Sequence, residues 1–143
     1  MTATMMRPRR PIAARRVGYG IAVLVNAALL FLTNVSPGWE VLPFLTPDFA
    51  AVLGLVNLSI AAGVVVNAGY LLADPPWFVA LGGVVTNGVG LAAMIRLWQV
   101  FPFDLLGGWS MVARVLLVLG ILGSGIGLVA NFVTLLRVTV RSN

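Results

Sequence analysis

Few side chains in this sequence could do chemistry, and most of them are asparagines and arginines. Asn26, Asn67, Asn87 and Asn131 each interrupt a long apolar segment, and Ser124 does the same in the last segment. A polar side chain inside a membrane can hydrogen-bond across helices or line a polar path, and both hypotheses stay open. In either case we expect these five side chains to point into a helix bundle, because lipid offers them no partner.

Two arginines lie near the ends of apolar segments, beside tryptophans. Arg96 comes two residues before Trp98, and Arg114 comes five residues after Trp109. A guanidinium at this depth must reach the interface or find a partner. One hypothesis is an ion pair that pins a loop, and the other is an outer-mouth site for an anion or a lipid phosphate, formed by Arg96 and Arg114. The carboxylates on the same side are Glu40, Asp48 and Asp104.

Several kinds of site are excluded by residue types that the sequence lacks. The chain has no histidine and no cysteine, so disulfides, thiolate zinc sites and histidine acid–base catalysis are ruled out. Its four carboxylates all fall between the apolar segments. We therefore expect no enzymatic activity, no metal and no cofactor. Asp74, which precedes two prolines, is expected to cap the third helix or its turn.

The composition is that of a membrane protein. Of the 143 residues, 60% are hydrophobic and only 9% are charged, whereas soluble domains carry roughly 25% charged residues. Using arginine as the only basic residue, in a chain rich in alanine and valine, is typical of bacteria with GC-rich genomes.

Hydropathy predicts an all-α integral membrane protein with four transmembrane helices. The expected spans are residues 17–34, 49–72, 77–100 and 109–138. A 24-residue helix is about 36 Å long, enough to cross a hydrocarbon core of ~30 Å. Residues 17–74 would form a first hairpin and residues 75–143 a second. The first segment exceeds the length of ~7–15 residues typical of a signal peptide, so we expect it to be retained.

The placement of the arginines predicts the orientation. Residues 1–16 form a basic tail, and Arg137 and Arg141 close the last segment. By the positive-inside rule both termini are cytoplasmic, which predicts a multi-pass protein of the cell (inner) membrane. The tail could also attract anionic lipid, and a role with nucleic acid is not expected. The five arginines of the tail are Arg7, Arg9, Arg10, Arg15 and Arg16.

Two stretches of the sequence repeat one another. Residues 39–44 read WEVLPF and residues 98–103 read WQVFPF, and the two tryptophans are 59 positions apart. Each stretch follows one asparagine-bearing segment and precedes another. This pattern predicts two tandem parallel hairpin repeats, related by a pseudo-two-fold axis along the membrane normal.

Glycines of the fourth segment indicate close helix packing. Gly120, Gly123 and Gly127 are candidates, and the last two have the GxxxG spacing that lets helix backbones approach.

Since nothing in the sequence demands an independent activity, we expect a non-enzymatic, oligomeric or accessory subunit of a membrane complex. Its partners would be membrane lipids and either further copies of the chain or other subunits. Two alternatives stay open: a small, anion-selective channel or transporter with an asparagine-lined path, and a lipid or isoprenoid binder.

Overall fold

The structure, a computed structural model, describes residues 8–143, so the first seven residues of the predicted tail, including Arg7, lie outside it. Four helices make up most of the described chain, which contains no β-strand. All four are long and apolar enough to cross a membrane. The prediction of an all-helical, multi-pass membrane protein is confirmed to this extent. The helices are α1 (Ile12–Asn34), α2 (Ala50–Leu72), α3 (Pro76–Val100) and α4 (Trp109–Arg141).

Helix α1 begins five residues earlier than the sequence predicted. Its first residue, Ile12, directly follows Pro11, whose backbone is extended. The two alanines and two arginines that come next all favour helix, so the helix can begin directly after Pro11. As a result Arg15 and Arg16, expected in a separate tail, lie on the first turns of α1.

Prolines set two of the other helix starts. A 3₁₀ turn, Pro47–Phe49, leads directly into α2, and α3 begins at Pro76. Proline is well tolerated in the first turn of a helix, where its missing N–H has no partner to lose. At its far end α3 stops at Phe101, whose φ of 44° is left-handed and terminates the helix. Helix α4 continues to Arg141, three residues past the expected end.

The four helices pack in chain order as an open row. Helix α1 packs on α2, α2 on α3 and α3 on α4. The buried residues of the four helices all belong to α2 and α3, whereas α1 and α4 have none. The row therefore has two inner helices and two outer ones, and the outer pair leaves most of its surface uncovered.

The two long loops meet at one end of the row, called here the loop end. The amide of Thr46 donates to the carbonyl of Pro102 at 2.9 Å, and the amide of Asp104 donates to the carbonyl of Phe44 at 2.9 Å. These bonds flank an antiparallel bridge between Leu45 and Phe103. The opposite end, called here the turn end, holds the α2–α3 turn, the start of α1 and the end of α4.

Candidate functional site

Asparagines and glycines interlock in the contact between α3 and α4. The amide of Asn131 lies against Gly83, and the amide of Asn87 lies against Gly127. A Cβ on Gly127 would come within 2.7 Å of the Asn87 Oδ1, and one on Gly83 would overlap the Asn131 amide. In each of these two helices the glycine that contacts the partner's asparagine lies four residues before the helix's own asparagine.

The contact between α1 and α2 uses similar residues. The Asn26 amide lies on Gly63, where an added Cβ would be 3.0 Å from it. Asn67 follows Gly63 by four residues and donates its Nδ2 to the Gly63 carbonyl at 2.8 Å. Asn26 donates in the same way to Ala22, also at 2.8 Å. Ala22 in the first hairpin therefore corresponds to Gly83 in the second, because each lies four residues before an asparagine that bonds its carbonyl.

These four asparagines all hydrogen-bond the backbone of their own helix. In all four, Nδ2 bonds the carbonyl four residues earlier in the same helix, including Asn87 to Gly83 and Asn131 to Gly127, both at 2.8 Å. The side-chain dipole is thereby partly satisfied without water. Since Asn26 lies between α1 and α2 while Asn87 and Asn131 lie between α3 and α4, the asparagines do not form one continuous polar file.

The remaining predicted residues of α4 divide between two faces. Gly120 lies beneath Met94 of α3, and Ser124 contacts the same sulfur at 4.0 Å. A Cβ on Gly123 would instead meet nothing within 4 Å. Within the described chain, α4 thus packs on α3 through Gly120 and Gly127, two turns apart, and Gly123 faces outward.

Of the glycines, Gly82 has the least room for a side chain, and this contact between α2 and α3 was missed from the sequence. Buried Gly82 faces Tyr70, whose hydroxyl donates to the carbonyl of Val79 at 2.8 Å. A Cβ on Gly82 would overlap that hydroxyl and lie 2.6 Å from a methyl of Val66. The adjacent glycines Gly82 and Gly83 are the feature of the sequence that could have indicated this contact. Gly82 faces α2 and Gly83 faces α4.

A pair of amides joins α1 to α2 near the loop end. Asn34 Nδ2 donates to Asn57 Oδ1, and Asn57 Nδ2 donates to Asn34 Oδ1, both at 2.8 Å. Such a reciprocal pair satisfies a donor and an acceptor on each side chain, so each residue depends on the other.

We expect a double-mutant cycle with Asn34→Ala and Asn57→Ala to show coupling between the two side chains. The coupling free energy should be about 0.6 kcal/mol and no more than about 1.7 kcal/mol, the range found for hydrogen bonds between membrane helices. Thermal or denaturant unfolding of the purified protein measures it. Strictly additive effects would show that the amide pair does not stabilise the fold.

An ion pair ties α1 to the α2–α3 turn at the turn end. Arg15 Nε lies 2.7 Å from Asp74 Oδ2, and Arg15 Nη2 lies 3.3 Å from Oδ1, so the pair is bidentate. The Tyr19 hydroxyl donates to the same carboxylate at 3.2 Å, and Arg9 donates to the Asp74 carbonyl at 3.1 Å. Within residues 8–143 this is the only salt bridge.

The expected role of Asp74 as a helix cap is wrong. The residue before α3 is Pro75, and no side chain caps the helix. A residue that precedes proline is held in an extended conformation, which carries the Asp74 side chain away from the first turn of α3. It points instead toward Arg15, 59 positions earlier in the chain.

The Asp74 ion pair should make the stability of the protein depend on pH. Hydrogen bonding from the Arg15 guanidinium holds the pKa of Asp74 below its ordinary value, and the Tyr19 hydroxyl lowers it further. The stabilisation is fully present above the ordinary carboxyl pKa of about 4, and it is lost as the pH falls from there through the lowered pKa of Asp74 in the folded protein. Asp74→Asn should therefore unfold at a lower temperature than wild type at pH 7. The difference between their unfolding temperatures should disappear in acid.

The matched control is Asp48→Asn, which removes the same charge at the loop end. It should not reproduce the acid-dependent gap in thermal unfolding. A gap for Asp74→Asn that persists unchanged in acid would contradict the role assigned to the ion pair.

The two arginines of the predicted anion site have separate partners at the loop end. The Arg114 guanidinium stacks on two rings, 4.9 Å from the centroid of Trp98 and 4.1 Å from that of Phe101. Arg96 contacts Gln99 of its own helix at 3.4 Å. Because Arg96 precedes Trp98 by two residues, their side chains point about 200° apart around α3. The structure does not bring the two arginines together, and among the described residues neither forms a pair with a carboxylate.

Comparison with models of known protein families, with curated proteins and with solved structures found no match. Two features of the chain itself bear on its function: the interlocked helix contacts along the row and the apolar exterior of α1 and α4.

Proposed function

We propose that the protein is a non-catalytic, multi-pass subunit that acts as part of an assembly in the cell membrane. The observation that carries the proposal is the open row of helices. Each outer helix packs on a single neighbour and has no buried residue. Closing α1 onto α4 would give each outer helix a second neighbour, whereas in the open row those faces are free to pack on another chain.

Small residues on the outer helices support an assembly over a monomer. Added Cβ atoms on Gly18 of α1 and Gly123 of α4 would meet nothing within 4 Å. Helix association in lipid relies on close backbone approach, which small residues permit. These glycines therefore offer positions where helices of another subunit, or of a second copy, can pack.

We further propose that the turn end faces the cytoplasm. Six described arginines lie toward that end, whereas Arg96 and Arg114 lie near the loop end. Such an excess of arginine is the bias that the positive-inside rule describes for cytoplasmic ends. Both termini are then cytoplasmic. The six are Arg9, Arg10, Arg15, Arg16, Arg137 and Arg141.

The two hairpins resemble one another in how their helices pack. In each hairpin an asparagine lies on a glycine of the partner helix, as with Asn26 on Gly63 and Asn87 on Gly127. A two-fold axis that exchanged the hairpins would require α1 and α4 to meet as extensively as α2 and α3 do, and they do not. We therefore propose a repeat in how each hairpin is built, without the global two-fold axis expected from the sequence.

The alternative of an asparagine-lined channel has less support. A path needs polar groups in one continuous cavity, but the asparagines are divided between the α1–α2 and α3–α4 contacts. An enzyme has little support either, because the chain lacks histidine and cysteine and its four carboxylates lie between the α-helices.

Cross-linking in native membranes tests the proposed assembly, and the cysteine-free chain is a clean background for it. Single substitutions Leu24→Cys on α1 and Ile126→Cys on α4 place thiols on side chains that are 71% and 70% exposed. With a short bifunctional thiol reagent, or one with a thiol-reactive and an amine-reactive end, we expect defined products heavier than the monomer.

Val65→Cys is the matched control, because Val65 is also 70% exposed but belongs to the inner helix α2. It should give less product than the positions on α1 and α4. Only monomer at every position on the outer helices, or equal products at all three positions, would contradict an assembly through α1 and α4.

A further inference from the structure

A cavity in two parts lies at the loop end, between α3, α4 and the two loops. One part has a volume of about 500 Å³, and its lining side chains are all apolar, including Met94 of α3 and Leu116 of α4. The other part, about 480 Å³, includes Asp104. The parts adjoin because three residues line both: Phe44, Leu105 and Trp109.

The apolar part suits a hydrocarbon chain. Its lining follows α4 from Trp109 to Leu117, a distance of about 12 Å along the helix axis, and so it descends from the interface into the membrane-spanning region. A lipid tail is as apolar as these side chains, so moving a chain from the bilayer into the cavity changes its free energy little. Selectivity must therefore come from the second part.

The second part combines a carboxylate with aromatic rings. The Asp104 amide is fixed to the Phe44 carbonyl at 2.9 Å, while no described residue hydrogen-bonds the Asp104 side chain. The rings of Phe44 and Trp109 line the same space. A carboxylate beside aromatic faces attracts an ammonium group by charge and by cation–π interaction.

Among residues 8–143 no arginine lines the second part, and Arg114 lies against Trp98 and Phe101 instead. An anionic head group would meet Asp104 without a compensating cation. The charge at this site therefore favours a cationic or zwitterionic head over an anionic one.

We propose that the two-part cavity binds an amphiphile made of an ammonium head and a hydrocarbon chain. The ammonium lies against Asp104, beside Phe44 and Trp109, and the chain follows α4 toward Leu117. Such a molecule could be an ethanolamine-headed membrane lipid or a free alkylammonium ion. This inference does not depend on the proposed assembly, because every lining residue belongs to a single chain.

Native mass spectrometry of the protein in maltoside micelles tests the site with two pairs of probes. The probes are phosphatidylethanolamine, phosphatidylglycerol with the same chains, and decyltrimethylammonium with decyl sulfate as its anionic counterpart. We expect ammonium-headed probes to bind at least tenfold more tightly than their anionic counterparts. Tight binding of the lipid alone identifies a membrane lipid as the ligand, and tight binding of the alkylammonium alone identifies a free cation. Equal binding of ammonium and anionic probes would overturn the proposal.

Substitutions locate the binding within the cavity. Asp104→Asn should reduce the preference for ammonium probes about tenfold, and Trp109→Leu should weaken it while keeping the cavity apolar. Both side chains are exposed, and no described residue hydrogen-bonds either one, so the fold should survive. Asp48→Asn, which removes the same charge from the other loop, should leave the preference unchanged. An unaltered preference in Asp104→Asn, or an equal loss in Asp48→Asn, would refute the assigned site.

Discussion

Gly82→Ala is expected to lower the free energy of unfolding by about 3 kcal/mol, one of the largest effects of adding a single methyl group to this chain. The new Cβ would overlap the Tyr70 hydroxyl and crowd Val66, so α2 and α3 would have to separate or Tyr70 would have to leave its position. Overpacking of this kind costs about 1–3 kcal/mol, and loss of the hydrogen bond to Val79 adds about 1 kcal/mol.

Gly125→Ala is the control for Gly82→Ala, because a Cβ on Gly125 would meet nothing within 4 Å. It should leave the protein as stable as wild type, or slightly more stable, since alanine favours helix over glycine. Denaturant titration of the purified protein, followed by circular dichroism or tryptophan fluorescence, compares the two. Equal stabilities for the two variants would show that α2 and α3 do not pack as described.

Asn87→Leu is expected to destabilise the contact between α3 and α4 by about 2 kcal/mol. A branched leucine cannot lie flat on Gly127 as the planar amide does, so the two helices are forced apart. Unfolding should therefore begin in the second hairpin, which hydrogen exchange can resolve. If the asparagines instead lined a path, the same variant would remain stable and would abolish ion or solute flux.

Thr134→Leu is the matched control for Asn87→Leu. Thr134 is an exposed polar residue of α4 whose hydroxyl bonds only the carbonyl of Ala130, four residues earlier in the same helix. Replacing it with leucine enlarges the side chain without changing the α3–α4 contact and should alter stability by less than about 0.5 kcal/mol. Full stability of Asn87→Leu in reconstituted liposomes, with loss of a flux that wild type shows, would contradict the packing role.

The positions of the four helices could be predicted from the sequence because the bilayer imposes a length and a composition. A run of about 20 apolar residues indicates a membrane-spanning helix, and prolines or glycines mark the ends of most of these runs. The start of α1 lies five residues before the predicted one, because the charges of Arg15 and Arg16 are typical of a polar tail. In the structure they are helical, since arginine favours helix and its long side chain can reach the interface.

The choice of neighbouring helices could not be predicted in the same way. Helices α2 and α3 are apolar on nearly every side, so no periodic pattern separates a packed face from a lipid-facing one. Glycine spacing was also ambiguous, since Gly123 and Gly127 match the GxxxG pattern but only Gly127 lies in a helix contact of this chain. The order of the row depends on shape complementarity, as between Gly82 and Tyr70, which composition does not encode.

Long-range polar pairs were the other feature that sequence analysis missed. Arg15 and Asp74 are far apart in the chain, and each had a plausible local role, one as a topology signal and the other as a cap. The bridge between the loops shows a related effect. It joins Leu45 and Phe103, which lie in or next to the two similar stretches of sequence. The similarity pointed to a repeat but did not indicate that the two stretches would touch.

The proposed assembly is built on the outer faces of α1 and α4, which this chain leaves uncovered. Native mass spectrometry of the protein extracted with its surrounding native lipid, without detergent exchange, detects such an assembly. We expect a mass well above that of one chain with lipid, from either several copies or stoichiometric foreign subunits. A single chain with lipid alone, obtained from membranes in which the protein is intact and folded, would contradict it.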